Sequence, residues 1–377
     1  MELIQIVPVL PPALSGVGDY ATLLAGELQA AGGVRTRFVV GDPGWTGPAS
    51  AADAPFPARA VTARTAAALL HALDEAEAAG GAAGVALLHY VGYGYAHRGC
   101  PFWLVDAAER WRGARPGRRL IVLFHELYAT GPVWSSVFWT SPFQRWLAAR
   151  LGRAADFRRM TTGEAARQLR PMLRRGHDAL ETIPVFSTLG EPAAPPPLSA
   201  RRRRMVVFGS RSWRVDVYTR RAADFAAACH ALGIEHVVDV GSPTGLALAG
   251  GGFAPVPVEE AGPLPSAEAG TLFADSLAGY FSYPVPYLGK STIFAAYCAH
   301  GMVPVTHPAN RAPSPDGLQP GEHYLAGTGD GAGTLAAEQL ANVAQGAFAW
   351  YSAHRLAVHA AGVRTQMTTG SQPCEGI

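Results

Sequence analysis

One stretch of the chain decides the fold, and it reads Tyr283-Pro-Val-Pro-Tyr-Leu-Gly-Lys-Ser-Thr-Ile-Phe-Ala-Ala-Tyr-Cys-Ala-His-Gly-Met-Val-Pro-Val305. A strand-like segment, Gly279–Ser282, precedes it. A helical pattern over Ser291–His300 then leads to a second strand-like segment, Met302–Thr306. A strand, a helix and a strand in this order are typical of a parallel βαβ unit. The stretch therefore predicts an α/β fold with a parallel sheet.

The same alternation of strands and helices is predicted for the first half of the chain. Strand-like segments occur at Leu3–Val7, Thr36–Val40, Val85–His89, Leu120–Phe124 and Met160–Thr162. Helical patterns lie between them, at Asp19–Ala30, Arg64–Ala79, Trp103–Trp111, Pro142–Ala154 and Glu164–Leu173. Repeated βα units of this kind predict a doubly wound, Rossmann-like sheet with helices on both faces.

The second half repeats the design after a change of composition. Its predicted strands are Met205–Phe208, Glu235–Val240, Gly279–Ser282 and Met302–Thr306, and its predicted helices are Val215–Leu232, Ser291–His300 and Gly333–His354. We expect an N-terminal Rossmann-like domain at 1–183, a proline-rich linker at 184–204, a C-terminal Rossmann-like domain at 205–348, and a helix at 349–377 that crosses back to the first domain. The basic run Arg201–Arg204 is interpreted either as a clamp for an anion or as a solvated approach to the next strand.

Composition limits the classes of function. The chain has 377 residues, of which 49% are hydrophobic, and a formal net charge of +2, which gives no general affinity for nucleic acid. Its four cysteines, Cys100, Cys229, Cys298 and Cys374, form no closely spaced pair, so neither a zinc site nor a disulfide framework is expected. No signal peptide or membrane-spanning run is recognised, so we expect a cytoplasmic protein with at most peripheral membrane contact.

Two loops of the first half are candidates for ligand binding. The loop after the first strand ends in Gly16, Val17 and Gly18 at the start of a helix, where free backbone amides favour an anion or a sugar hydroxyl. An ordinary glycine turn is the alternative. The strand Leu120–Phe124 runs directly into His125 and Glu126, and a histidine there could bind a sugar oxygen or carry a proton, or merely cap the strand.

Two loops of the second half are candidates for binding phosphate. Ser210, Arg211 and Arg214 follow the first strand of that half, and the arginines would neutralise charge on a departing phosphate, although surface arginines are common. Gly289, Lys290, Ser291 and Thr292 open a helix, where amides, a lysine and two hydroxyls together favour a diphosphate. The phosphate-binding loop of ATPases is excluded, because Pro284 stands where that motif requires glycine.

Taken in order, these loops resemble the retaining GT-B-fold glycosyltransferases of family 4. The resemblance covers nearly the whole chain. The segments that carry it are Ser15-Gly-Val-Gly-Asp-Tyr-Ala-Thr-Leu-Leu24, Thr161-Thr-Gly-Glu-Ala-Ala-Arg-Gln-Leu169, Ile183-Pro-Val185, the opening stretch Tyr283–Val305 and Ala349-Trp-Tyr-Ser-Ala-His354. It implies two Rossmann-like domains facing across a cleft, a nucleotide-diphosphate sugar as donor substrate, no other cofactor and no metal.

One family motif is incomplete in this chain. The family carries E-x7-E before a segment that ends in Gly301 here, and this alignment puts Leu288 and Ala296 where the two glutamates belong. The resemblance therefore implies a divergent member whose diphosphate contacts depend on Lys290 and the helix start. A catalytically reduced protein that only binds a nucleotide or sugar is the alternative, and a GT-B-shaped epimerase or phosphorylase has less support.

The resemblance also sets the expected partners and mechanism. His125, Arg211 and Lys290 are expected to take part in the reaction, in which the leaving phosphate itself helps to deprotonate the acceptor. The acceptor, a small molecule or a glycan, is expected near Glu126, Tyr93, Tyr95 and His97, although these tyrosines could instead pack between loops. The sequence specifies neither the base, the sugar, the acceptor nor the oligomeric state.

Overall fold

The computed structural model describes residues 1–48, 55–80, 84–173, 180–248, 252, 254–311, 313–327 and 334–369. Gly333, where a predicted helix begins, Cys374, and the end of the predicted terminal helix lie outside the described residues. The chain divides into two compact units. The first consists of Met1–Ile183 with Leu356–Ile377, and the second of Pro184–Arg355.

The elements follow the chain in alternation. The strands are β1 Glu2–Val7, β2 Arg35–Val40, β3 Ala58–Ala60, β4 Val85–Tyr90, β5 Arg119–Phe124, β6 Phe157–Met160, β7 Leu180–Thr182, β8 Arg202–Phe208, β9 His236–Val240, β10 Val258–Gly262, β11 Ser276–Tyr280, β12 Val303–Thr306 and β13 Leu325–Ala326. The α-helices are α1 Gly16–Gly32, α2 Ala66–Gly80, α3 Gly92–Tyr95, α4 Phe102–Ala114, α5 Ser136–Ala154, α6 Gly163–Leu169, α7 Arg211–Tyr218, α8 Ala222–Ala231, α9 Ser266–Ala274, α10 Thr292–Ala299, α11 Ala337–Ser352 and α12 Leu356–Thr368.

The first unit is built on a seven-stranded sheet. Its strand order is β3-β2-β1-β4-β5-β6-β7, and each neighbouring pair is parallel. The central strands are almost wholly apolar and buried, as expected for a parallel sheet covered on both faces. Helices α2, α4 and α5 supply much of the core on one face, including the fully buried Trp111. The predicted doubly wound architecture is confirmed.

The second unit is built on a six-stranded sheet. Its order is β10-β9-β8-β11-β12-β13, again with every neighbouring pair parallel. The basic run Arg201–Arg204 serves the fold at its first residue, and its other three arginines lie in β8. Arg201 is buried and donates to the carbonyls of Pro196, Ser276 and His300, and burial lowers its pKa to about 10.

Helix α12 completes the first unit although it follows the second in the chain. Its residues Ala360, Val363 and Met367 are buried, and Nδ1 of His359 lies 2.6 Å from the hydroxyl of Tyr20 on α1. The buried Arg159 of β6 donates to the carbonyl of His359, at 3.3 Å. Polar contacts as well as packing therefore fix α12 against the first sheet.

Several predicted boundaries differ from the structure. The predicted linker 184–204 lies inside the second unit, and the predicted helix at 349–377 is the end of α11 followed by α12. The predicted helix Val215–Leu232 is wrong, because two helices, α7 and α8, replace it. The regular hydrogen bonds of α7 stop at the turn between the two helices. In this turn the amide of Arg221 donates to the carbonyl of Asp216, five residues earlier.

Candidate functional site

Each sheet has a point at which the direction of strand order reverses. In the first unit β1 lies between β2 and β4, and in the second unit β8 lies between β9 and β11. In open α/β sheets, ligands bind beyond the carboxyl ends of the strands at such a reversal. A ligand site is therefore expected in the loops after β1, β4 and β5 of the first unit and in the loops after β8 and β11 of the second.

In the second unit, glycine brings the loop after β8 against helix α10. Gly209 has a φ of +128°, and a Cβ built on it would lie 2.3 Å from Cδ1 of Ile293 in the first turn of α10. Only glycine permits both this backbone conformation and this contact. The predicted phosphate loops at Ser210–Arg211 and at Thr292 are thus adjacent in space.

Helix α7 starts in this loop and is suited to an anion. Ser210 stands at its N-cap, is exposed, and makes no capping hydrogen bond from its side chain to the helix. The exposed Arg211 follows, and its Nε donates to the carbonyl of Thr244 at 2.9 Å. No ion pair joins Arg211 to a carboxylate in the part of the chain that the structure describes. A helix start and an arginine here provide donors and positive charge for a phosphate.

Arg214 has a different environment from the one predicted. It is 1% exposed, forms an ion pair with the buried Asp239, and donates through Nε to the carbonyl of Gly209 at 2.9 Å. It also donates to the carbonyl of Ser242. Because its charge is compensated inside the protein, Arg214 holds together the loops after β8 and β9.

The helix start at Lys290 differs in detail from the predicted one. A 3₁₀ helix covers Val285–Lys290, and α10 begins only at Thr292. Ser291 is buried and caps α10, because its hydroxyl accepts from the amide of Phe294 at 3.2 Å. The carbonyl of Gly289 accepts from the amide of Val185 at 2.7 Å. Ser291 and Gly289 therefore support the turn that presents Lys290, whose Nζ lies 5.5 Å from the ring centroid of Tyr287.

The two positions aligned with the family glutamates both face the interior. Leu288 is 1% exposed and Ala296 is 0% exposed, and Ala296 lies in the apolar helix α10. A carboxylate buried at either position would lose its hydration, which is costly for a charged group. This part of the second unit is packed as a hydrophobic core.

The loop after β1 in the first unit contains two glycines with different environments. Ser15 caps α1 by accepting from the amide of Gly18 at 3.1 Å. A Cβ on Gly18 would lie 2.6 Å from the carbonyl oxygen of Val9, whereas a Cβ on Gly16 would meet nothing within 4 Å. Gly18 is thus required for packing, while the exposed Gly16 and the half-buried Val17 form the accessible part of the helix start.

His125 belongs to a hydrogen-bonded chain that reaches into the sheet. Its Nε2 lies 3.1 Å from Nδ1 of His89, and Nε2 of His89 lies 2.8 Å from Oε1 of Gln5. Gln5 and His89 are both completely buried. Burial first, and the neighbouring His125 second, hold the pKa of His89 well below its ordinary value of 6.5, so His89 is neutral near pH 7.

With the Gln5 amide oriented as in the structure, one tautomer of each ring satisfies the chain. Oε1 of Gln5 can only accept, so Nε2 of His89 carries a proton and Nδ1 of His89 accepts from Nε2 of His125. In neutral His125 the other ring nitrogen, Nδ1, then has no proton and is the basic atom. The edge of the Tyr20 ring packs against His125, with centroids 5.2 Å apart. His125 is half-buried.

The predicted acceptor residues separate into accessible and buried ones. Tyr93, His97 and Glu126 are exposed, and the hydroxyl of Tyr93 accepts from Nε2 of Gln144 at 3.2 Å. Tyr95 is 1% exposed, and its hydroxyl donates to the carbonyls of Ile6 and His89 at 3.1 and 3.0 Å. The structure does not place Tyr95 with the other three, because it belongs to the core between β1 and β4.

Sequence reasoning did not identify Gln5, His89 and His359 as parts of a polar cluster. A signal for the first two was present, since each is a polar residue inside an otherwise apolar parallel strand, where burial requires a specific hydrogen bond. No local pattern marks His359, because its contact with Tyr20 joins residues far apart in the sequence.

Solved structures with the same arrangement cover almost the entire chain. An alpha-glucosyltransferase in complex with UDP matches 98% of this chain and 100% of its own, with a TM-score of 0.56 and 10% identity. The fold is GT-B. A glycosyltransferase from Rickettsia africae has a TM-score of 0.62 at 10% identity, over 97% of both chains. A trehalose 6-phosphate synthase from Burkholderia multivorans has a TM-score of 0.57 at 14% identity, over 97% of this chain and 96% of its own.

The sequence itself gives no further match. No protein-family model matches it, and no curated protein matches it. Among the described residues, no three His, Cys, Asp or Glu side chains group as metal ligands would. None of the described helices combines the length and the hydrophobicity that crossing a bilayer requires.

Proposed function

We propose that this protein transfers a sugar from a nucleotide-diphosphate sugar to an acceptor hydroxyl. The observation that carries the proposal is the likeness, over almost the full length, to solved structures of two glycosyltransferases and a trehalose 6-phosphate synthase. At 10–14% identity this likeness concerns the fold. The chemistry of the strand-end loops supplies the rest of the argument.

The second unit is proposed to bind the donor diphosphate. Arg211 and Lys290 contribute positive charge, and the starts of α7 and α10 contribute amides beside Ser210 and Thr292. The positive side chains and the amides would both stabilise phosphate oxygens, on which negative charge grows as the sugar leaves. Gly209 keeps the two helix starts next to each other. UDP is the first nucleotide to test, because it is bound in one of the similar structures.

The first unit is proposed to bind the acceptor and to orient the transferred sugar. Tyr93, His97 and Glu126 offer exposed polar groups near the ends of β4 and β5. His125 would contact the sugar through Nδ1, the ring atom that the chain from Gln5 leaves basic. Retention of the anomeric configuration is proposed from the resemblance to family 4, with a phosphate oxygen of the leaving group taking the acceptor proton. A protein nucleophile is then not needed.

A second candidate is a protein that binds the nucleotide or the sugar without transferring it. The buried Leu288 and Ala296 favour it, because they leave the family's ribose and sugar contacts without their carboxylates. Nucleic-acid binding was not expected from the charge. Some of the similar structures are complexes with DNA, so this expectation stays a prediction.

A thermal-shift titration with UDP, GDP and ADP, followed by a hydrolysis assay on the matching nucleotide sugar, tests the proposal. We expect one nucleoside diphosphate to raise the melting temperature by mass action and its sugar to be slowly hydrolysed. Stabilisation without any hydrolysis or transfer would favour the binding protein. No stabilisation by any of the three nucleotides would contradict the donor site.

A further inference from the structure

An exposed aromatic surface covers the loop before helix α5, the first eleven residues of that helix and the neighbouring Phe102 at the start of α4. Its seven large apolar side chains are all at least 40% exposed, and Trp134, at 85%, is the most exposed of them. We name it the aromatic face, and it consists of Phe102, Val133, Trp134, Phe138, Trp139, Phe143 and Trp146. Adjoining exposed apolar side chains on a folded protein mark an interaction site.

The aromatic face is held in shape by hydrogen bonds. Nε2 of the buried Gln144 donates to the hydroxyl of Tyr93 and to the carbonyl of Arg98, and its Oε1 accepts from the amide of Ala129 at 2.8 Å. Nε1 of Trp139 donates to the carbonyl of Val133 at 3.1 Å. The exposed rings are therefore presented by an ordered loop and helix.

The surroundings of the aromatic face are basic. No Asp or Glu occurs between Glu126 and Asp156, whereas α5 contains Arg145, Arg150 and Arg153. Arg150 is compensated by ion pairs with Asp106 and Glu109 of α4. Arg145 is exposed, and its guanidinium stacks at 4.3 Å over the ring of Tyr128.

Arg145 also lies beside an opening in the face. A groove of about 460 Å³ opens there, and it is lined by Thr130, Gly131, Phe138, Trp139, Ser141, Pro142 and Arg145. The combination of exposed Trp and Phe rings with guanidinium groups is typical of helices that lie in a membrane interface.

We propose that the aromatic face docks the protein onto an anionic phospholipid bilayer. The tryptophan rings would lie at the level of the headgroups and the phenylalanine rings at the acyl boundary, with Arg145 and Arg98 against lipid phosphates. A second copy of this chain is a poorer occupant, because a two-fold contact would bring the same arginines together. The proposal does not rest on the proposed activity, since binding to lipid needs neither donor nor acceptor.

Co-sedimentation of the intact protein with vesicles tests this proposal. Vesicles of phosphatidylglycerol and phosphatidylcholine are compared with vesicles of phosphatidylcholine alone. We expect binding to the anionic vesicles that weakens with added salt, because exposed charges are screened. The double variant Trp134→Ser/Phe143→Ser should weaken binding by at least about tenfold, since two large apolar side chains no longer leave water. Arg145→Gln should weaken it by roughly fivefold.

Val358→Ser provides the matched control, because Val358 is an exposed apolar side chain on α12 in the same unit. It should leave vesicle binding unchanged, and all variants should melt at the temperature of the original protein. Equal binding to both kinds of vesicle, or no binding to either, would overturn the proposal. So would self-association that the double variant abolishes, because it would assign the face to a second copy.

Discussion

Arg211 and Arg214 lie three residues apart on one helix and have different environments. Arg214 is enclosed, with its guanidinium on Asp239 and on two carbonyls, so its charge stabilises the loops. Arg211 donates through its Nε to the carbonyl of Thr244 and is exposed. The sequence shows two arginines in one loop, but their burial depends on the position of Asp239 near the end of β9, which is a tertiary property.

If the donor site is correct, Arg211→Ala and Lys290→Ala should each lower kcat/KM for sugar transfer by about tenfold to a hundredfold. The reason is the loss of a charged hydrogen bond that strengthens as the phosphate leaves. Arg220→Ala is the matched control, because Arg220 is an exposed arginine two residues beyond the end of α7, 3.9 Å from Asp216. Steady-state kinetics with the preferred nucleotide sugar measures all three. Unchanged transfer in both test variants would remove these residues from the mechanism.

The chain from Gln5 to His125 predicts a graded loss of activity. His125→Ala should lower kcat by about tenfold to a hundredfold, through loss of a hydrogen bond to the reacting sugar. His89→Leu should lower kcat less, because His125 remains but its Nε2 loses the hydrogen-bond acceptor, Nδ1 of His89. His89→Asn places an oxygen near the former Nδ1 and should restore most of the activity.

The pH profile separates positioning from general damage to the fold. In the original protein burial keeps His89 neutral, so protonation of His89 should not contribute to the acid limb of the profile. In His89→Leu that limb should shift, because the hydrogen bond that fixes the proton on His125 is gone. An unshifted profile together with an unchanged rate would show that His89 is only a packing residue.

At the scale of the elements, the start of α1 offers a matched pair of substitutions. Gly18→Ala should destabilise the first unit by about 1–3 kcal/mol, because its methyl group would meet the carbonyl of Val9. Gly16→Ala should keep or raise stability, by up to about 1 kcal/mol, since its methyl group has open space. Urea unfolding measures both. A loss in Gly16→Ala as large as in Gly18→Ala would contradict the described packing.

The same pair also tests the predicted ligand loop. If ligand approaches the backbone at Gly16, a methyl group there should weaken substrate binding in a variant that remains stable. Kinetics on Gly16→Ala supplies this measurement, and an unaltered KM for donor and acceptor would place the ligand elsewhere.

Much of the fold was accessible from sequence because buried parallel strands are continuous apolar runs. The predicted strands at the start and centre of both sheets agree with β1, β2, β4, β5, β8 and β12 within a few residues. The short edge strands β3, β7 and β13 were not predicted, since two or three residues carry no periodic signal. Helix α5 begins before the predicted Pro142 because Ser135 caps it.

The candidate site was less accessible than the fold. Loops that follow strands could be found by their position, but the burial of Tyr95 and Arg214 and the chain from Gln5 to His125 depend on contacts between distant strands. Ser291 illustrates a second limit. A serine at a helix start suits both a ligand and a cap, and here the cap is formed with the amide of Phe294.

At the scale of the whole molecule, buried histidines make stability depend on pH. Burial lowers the pKa of His354 from 6.5 to about 3, and it also lowers those of His300 and His307. Unfolded histidines take up protons below 6.5 while the folded ones do not, so stability is fully present above that pH and is lost as the pH falls. His354 alone should cost the second unit about 2 kcal/mol between pH 7.5 and pH 5.

Urea unfolding at pH 7.5 and pH 5 measures this loss. In His354→Leu the difference between the two pH values should shrink by about 2 kcal/mol, because the group that titrates on unfolding is gone. His236→Leu, which replaces an exposed histidine of the same unit, should leave the difference as it is. An identical pH difference in the original protein and in His354→Leu would contradict the lowered pKa.

The position of α12 has a consequence for biosynthesis. The ribosome makes the seven strands of the first sheet, then the entire second unit, and only afterwards the helix that brings His359 to Tyr20 and to Arg159. Domains generally fold as units as they emerge. The second unit therefore has its full complement of elements first, and the nascent first unit retains an uncovered helix-binding surface until translation of α12. Cotranslational folding of this chain thus finishes at its N-terminal unit.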